Sequence, residues 1–292
     1  MGKKIFGIIL IIIIAVFIAV TVIPNFIGEK APEEPVPPED ESPAPPQYED
    51  AIIVYGDAIP VDKEVDTNEY DPSLFIYSDD GRISYDSDNS ADGIDVSGFQ
   101  GEIAWQQVAN SGIEFAFIRL GYRGYESGSP NMDSYFESNI EGALEAGIQV
   151  GVYFFSQAIT PEEAAEEAQY VLDAIEGYEV TYPVIFDWEY ITGGEPARTD
   201  SLTAGEVTEC AVSFCDTIEE AGHYAGVYFN TDLGYTEYEI GQIDHYELWL
   251  AEYAEKPDFY YDFNIWQYSN TGSVPGIEGN VDLNICFNDY SK

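Results

Sequence analysis

From Gly93 to the C-terminus, short apolar runs alternate with amphipathic segments, and this alternation limits the possible folds more than any other feature. The apolar runs cover residues 93–96, 115–120, 150–155, 183–187, 224–229, 248–252 and 264–268, with a last short one near Val281. Two intervening segments open with helix start signals. Thr160 stands as N-cap before Pro161 and Glu163, and Thr203 precedes Glu206, the spacing of a capping box. Ala164, Ala168, Val171, Leu172 and Ile175 then recur at helical spacing as a buried stripe. Strands alternating with helices imply a mainly parallel sheet with helices outside. Eight strand candidates favour a closed barrel over an open sheet, although the last three units lack clear helices. The expected fold class is therefore α/β.

The region before Gly93 has a different texture. Lys3 and Lys4 precede an uncharged stretch over residues 5–23, rich in Ile, Val and Ala. At ~1.5 Å per residue a helix of that length spans most of a hydrocarbon core of ~30 Å. No small-x-small cleavage site follows, so residues 1–28 read as a cytoplasmic stub and an uncleaved transmembrane signal anchor. The lysines stay inside and the rest of the chain faces outward, at the cell surface. Cleavage would instead release the chain as a secreted protein. Residues 29–50 carry seven prolines among acidic residues and read as an extended, solvated linker. Residues 51–92 read as a small extension, with a hairpin candidate at 74–78 and 82–85 around Asp79-Asp80-Gly81. The barrel is expected over 93–292.

Bulk charge excludes one class of partner. Ten Lys and Arg stand against 55 Asp and Glu, a formal charge of −45, so binding nucleic acid is not expected. The acidity suits solubility by mutual repulsion, or avoidance of a polyanionic cell wall, or high salt. Cys210, Cys215 and Cys286 are too few for a disulfide framework and read as small buried hydrophobes. The two histidines, His223 and His245, offer neither a base for a thiol nor a metal site.

In parallel barrels the reactive side chains gather at the C-terminal ends of strands. The fourth run ends Ile185-Phe186-Asp187-Trp188-Glu189. Period-two geometry puts Asp187 and Glu189 on one face, with Trp188 opposite. Two acids on one face of a buried strand are costly, because neither ionises freely beside the other in a low dielectric. Such a pair is tolerated where one member keeps its proton for a leaving group and the other stays ionised. An acidic edge pointing into solvent is the plain alternative. Asp95 ends the first run, and Asp282 lies in Gly279-Asn280-Val281-Asp282-Leu283-Asn284, placed at the end of the last strand. Aromatics are abundant, with 23 Tyr, 16 Phe and 4 Trp, and several fall at strand ends. Flat rings with polar tips beside acids suggest a carbohydrate groove.

Taken in order, these segments resemble glycoside hydrolase family 25, the muramidases or lysozymes. The resemblance rests on Gly93-Ile94-Asp95-Val96-Ser97, Phe117-Ile118-Arg119-Leu120-Gly121-Tyr122, Gly151-Val152-Tyr153-Phe154 and Phe186-Asp187-Trp188-Glu189. It continues through Gly226-Val227-Tyr228, Leu248-Trp249-Leu250-Ala251-Glu252-Tyr253, Trp266-Gln267-Tyr268-Ser269 and the Asp282 segment. It implies an irregular TIM-like barrel with eight strands and fewer helices. It also implies cleavage of the β-1,4 bond between N-acetylmuramic acid and N-acetylglucosamine in peptidoglycan, with no cofactor or metal. By the match, Glu189 is the proton donor. Asp187 stabilises positive charge or positions the substrate's N-acetyl group, while Asp95 and Asp282 complete the acidic rim. Tyr153, Tyr228, Trp249, Tyr253 and Trp266 would line saccharide subsites, with Gln267 as a polar contact. Arg119 fits either a substrate contact or a structural ion pair. A non-catalytic wall-binding module, or a hydrolase of another N-acetylated glycan, is the competing expectation.

Overall fold

The computed structural model describes residues 51–191, 196–288 and 290; the apolar N-terminal stretch and the Pro-rich linker lie outside them. Among the described residues no helix is long and apolar enough to cross a membrane. Two antiparallel hairpins come first. Strands β1 (Ala51–Val54) and β2 (Asp57–Pro60) turn at Tyr55 and Gly56, whose φ angles of 50° and 92° are those of a tight two-residue turn. Strands β3 (Phe75–Tyr77) and β4 (Ile83–Tyr85) form the second hairpin, a little shorter than the sequence suggests. Phe75 and Ile83 are its buried residues, and Phe75 packs edge-on against Trp266 at 5.4 Å.

The main sheet then forms in chain order. Its elements are β5 (Ala91–Val96), α1 (Trp105–Asn110), β6 (Phe115–Arg123), β7 (Pro130–Met132), α2 (Phe136–Glu145), β8 (Gln149–Ser156) and α3 (Pro161–Ile175). After these come β9 (Val184–Trp188), α4 (Ala204–Glu220), β10 (Ala225–Asn230), α5 (Thr231–Thr236), β11 (Glu247–Ala251), β12 (Ile265–Gly272) and β13 (Val281–Cys286). The strands lie in the order β5-β13-β12-β11-β10-β9-β8-β6, and pairing of β5 with β6 closes an eight-stranded barrel. Strand β7 adds to the outer end of β6. Five α-helices occur among the described residues, and none follows β11 or β12. That absence has a topological consequence. Without a helical crossover, β13 returns as a hairpin and runs antiparallel to both β12 and β5. The barrel is therefore mixed, α/β, with fewer helices than strands.

Local signals explain the long helices. Thr203 and Glu206 make a full capping box at α4. Thr160 caps α3 by accepting from the Glu163 amide, but the Glu163 carboxylate bonds the Ile159 amide and Arg198 rather than closing a box on Thr160. The apolar stripes of α3 and α4 bury against the outer face of the barrel, and Cys210, Cys215 and Cys286 are all buried. Inside, the lower barrel is plugged by rings. Phe115 stacks on Tyr182 at 4.7 Å and Phe117 on Trp249 at 4.5 Å. Gly93 and Gly151 make room for them, since a Cβ at either would lie 2.3 Å from the Phe115 or Phe117 ring. The upper end of the barrel stays open to solvent.

Candidate active site

Four carboxyls meet at that open end. Asp95 points inward near the end of β5, and Asp187 does the same on β9, while Trp188 between the acids faces out into the helix layer. Glu189 follows immediately after β9. Asp282 is registered opposite Asp95. It lies at the start of β13, not at its end as the sequence reading has it, because that strand is reversed; the reversal brings its first residues to the same rim. All four line one cleft of about 330 Å³, with Tyr153, Tyr228, Trp249, Tyr253, Gln267 and Arg119 around it.

Hydrogen bonds fix the floor. Asp95 Oδ2 accepts from Gln267 Nε2 and from Asn284 Nδ2, each at 2.8 Å. Trp249 Nε1 donates to Asn284 Oδ1 at 2.9 Å, which orients that amide. The other end of Gln267 accepts from the hydroxyls of Tyr228 at 3.2 Å and Tyr253 at 2.9 Å. Tyr153 and Tyr228 meet Trp249 edge-on at 6.1 and 4.9 Å, forming an aromatic wall. Asn284 is a site residue that the sequence reading passes over, although its spacing of two from Asp282 puts both on one strand face. Gln157 is another. It is fully buried, and its Nε2 donates to the Glu189 carbonyl at 3.1 Å while Thr199 Oγ1 donates to its Oε1 at 2.8 Å. Nothing in the local sequence marks that role.

Two expected residues behave differently. Trp266 does not reach the cleft: it is fully buried on the outer face of β12, and its Nε1 donates to the Glu252 carbonyl at 2.8 Å. Alternation along β12 sends Gln267 in and Trp266 out, where it packs under the β3–β4 hairpin. Arg119 lines the cleft but is committed to Asp133, with Nε and Nη2 both 2.7 Å from Oδ2. The Phe99 ring lies over its guanidinium at 4.9 Å. A wider groove of about 870 Å³ runs on from there and shares Phe99, Arg119 and Phe155 with the cleft.

Burial sets the proton affinities. It lifts Asp95 to about 8, with the Asp282 charge adding and the Asn284 and Gln267 amides opposing. Burial also brings Asp282 to about 6. Asp187 is pushed well above the ordinary carboxylate range by burial, then by the Glu189 and Asp95 charges, against a pull from Arg119. Glu189 is raised by burial and by Asp282, and a bond from the Tyr228 hydroxyl works the other way. Four acids in one small cleft cannot all ionise together, so the site retains protons where free carboxyls would lose them. Among the described residues no group of three or more His, Cys, Asp or Glu is arranged to hold a metal ion.

The comparisons with known proteins agree on the barrel. Residues 94–277 match the family model "Glycosyl hydrolases family 25". An uncharacterized protein of Escherichia coli O157:H7, YegX, is 29% identical over 201 residues, covering 66% of this chain and 68% of that protein. The autolytic lysozyme of Clostridium acetobutylicum is 28% identical over 192 residues, covering 65% of this chain and 54% of the lysozyme. The structure of the modular autolysin LytC from Streptococcus pneumoniae has the same fold, with a TM-score of 0.60 at 23% identity, over 81% of this chain and 57% of LytC. LytC has also been solved in complex with a synthetic peptidoglycan ligand. This chain thus spans little more than half the length of the lysozyme and of LytC. The family match covers more than half of the chain and takes in Asp95, Asp187 and Glu189, and the protein belongs to glycosyl hydrolase family 25.

Proposed function

We propose that this protein is an extracytoplasmic peptidoglycan hydrolase, a muramidase cleaving the β-1,4 bond between N-acetylmuramic acid and N-acetylglucosamine. The observation that carries the reading is Asp187 with Glu189, two carboxyls raised by burial in one cleft. Such a pair keeps a proton near neutral pH, which glycosidic cleavage needs at the leaving oxygen. Glu189 is the donor. It stands just past the strand, half-buried and open to the cleft, within reach of the Tyr228 hydroxyl.

Asp187 sits deeper, and its Oδ1 is buried without a hydrogen-bond partner among the described residues. An N–H from the substrate's N-acetyl group would satisfy that oxygen. Accepting this bond favours the ionised form of Asp187 and so shifts the shared proton toward Glu189 as the substrate is seated. Asp187 then orients the N-acetyl group for attack or stabilises the positive charge at the reaction centre. Tyr153, Tyr228 and Tyr253 offer rings and hydroxyls to the sugars, with the buried Trp249 packed against the first two, and Gln267 ties Tyr228 and Tyr253 to Asp95. The lysozyme relative supports this class of substrate. Glu189→Gln should reduce release of reducing ends from purified peptidoglycan by about 10²–10⁴-fold. Undiminished release would sink the assignment.

The same reading sets the barrel outside the cell on a tether. Lys3 and Lys4 ahead of the apolar stretch suit a signal anchor, and the Pro-rich linker supplies reach toward the wall. A membrane fraction that keeps the chain through a carbonate wash is the expected result. A shortened chain in the medium would mean cleavage and a secreted enzyme.

A further inference from the structure

The cleft continues on a second side, toward residues that precede the family-matched segment. A groove of about 540 Å³ runs between the β3–β4 hairpin and the barrel rim, and shares Tyr253 with the cleft, while Asn270 lines both. Tyr268 lies along it, and the hydroxyl of that residue accepts from the Ile83 amide at 3.2 Å, fastening the hairpin in place. A second fastening is Tyr77, whose hydroxyl donates to the Glu255 carbonyl at 2.8 Å. Tyr77 and Tyr253 both line this groove, and each leaves more than half of its surface exposed, at 54% and 55%. Both rings therefore present apolar faces to solvent along the groove, with their hydroxyls already bonded.

We propose that the β3–β4 hairpin and the barrel rim together form a distal saccharide subsite, in which Tyr77 and Tyr253 receive further sugars of an N-acetylated glycan strand leaving the catalytic cleft. The occupant follows from continuity: a strand cleaved at Glu189 must extend beyond a cleft of about 330 Å³, and this groove opens from it. Aromatic faces with the Asn270 amide beside them match the apolar C–H faces and acetamido groups of such sugars. The proposal rests on a glycan substrate for the cleft, and its test separates the two.

The measurement is binding to the full chain carrying Glu189→Gln, using purified peptidoglycan glycan strands and, separately, a disaccharide fragment. Adding Tyr77→Ala should weaken strand binding about tenfold and leave disaccharide binding unchanged. Tyr77→Phe keeps the ring and loses only the bond to Glu255, so strand binding should stay near that of the parent. Equal strand binding by the Ala variant would overturn the subsite, as would equal losses for strand and disaccharide. A Phe variant as weak as the Ala variant would also overturn it, since the fastening and not the ring would then be at work. Cleavage by the unmodified chain is scored independently. Length-dependent binding without cleavage keeps the subsite and defeats the muramidase reading; cleavage with no dependence on Tyr77 does the reverse.

Discussion

Glu167 and Asp187 are both acids buried against the barrel, but only Glu167 is bonded to a cation. Glu167 sits on the inner stripe of α3, and Arg123 Nε lies 2.6 Å from its Oε1. The same guanidinium donates to the Gly128 and Glu163 carbonyls and to Glu166, so its donors are spent on fixed partners. Burial still lifts Glu167 to about 7, against the bonds from Ser156, Arg123 and the Gln157 backbone. Asp187 lies among three further acids, and the nearest cation, Arg119, is already paired with Asp133. The first cluster is neutralised and joins α3 to β6. The second is left short of positive charge, at the open end of the barrel that holds the cleft. A chain with 55 acids and ten bases has placed three of its four arginines, Arg119, Arg123 and Arg198, in ion pairs with acids other than the four of the cleft. With no ion-pair partner among the described residues, the cleft acids hold their protons above the ordinary carboxylate range.

The larger test removes the compensation. Arg123→Met leaves Glu167 buried and unpaired, and should destabilise the domain by about 3–5 kcal/mol, the usual cost of breaking a buried pair from one side. The double variant Arg123→Met with Glu167→Met should recover much of that loss, because no charge remains stranded. Denaturant unfolding of the two variants measures the difference. Equal losses would mean that packing by Arg123, not its charge, is what matters there. The contrast between the clusters would then lose one of its sides.

The sequence carries some of this contrast and hides the rest, for physical reasons. Asp187 and Glu189 are visible because a local period of two puts them on one face after a wholly apolar run. All eight barrel strands are likewise visible as apolar runs, and the α4 start as a local box of Thr203 and Glu206. Glu167 is not visible as a buried residue: it lies among Glu162, Glu163 and Glu166, and its neutralising arginine is 44 positions away. Trp266 shows another limit. Barrel strands are buried on both faces, so alternation through Trp266-Gln267-Tyr268 sets a phase without saying which face looks inward. The reversal of β13 depends on a missing helix and on pairing with β5, at the far end of the barrel sequence. Residues fixed by partners close in sequence are legible; those fixed across the barrel are not.

The smaller test works on the uncompensated side, where the sign is opposite. Asp95 holds its proton up to about 8 in the folded protein, against ~3.9 for an aspartate in an unfolded chain. A carboxyl that binds its proton more tightly when folded stabilises most below the unfolded value. That contribution is lost as pH rises through about 8, and Asp282, at about 6, adds a loss at lower pH. Melting temperature should therefore fall between pH ~4 and pH ~8. Asn at position 95 keeps a carbonyl oxygen for the Gln267 and Asn284 amides and has no proton to release. Asp95→Asn should flatten the fall and raise the midpoint near pH 8 by about 2–4 °C, the shift that ~1 kcal/mol gives a domain of this size. Near pH 4 it should give no gain. Repulsion across the acidic surface also grows with pH, but parent and variant share it almost equally, so their difference isolates the cleft. A variant that tracks the parent at every pH would mean that the ungrouped acids cost the fold nothing, and the distinction between the two clusters would fail.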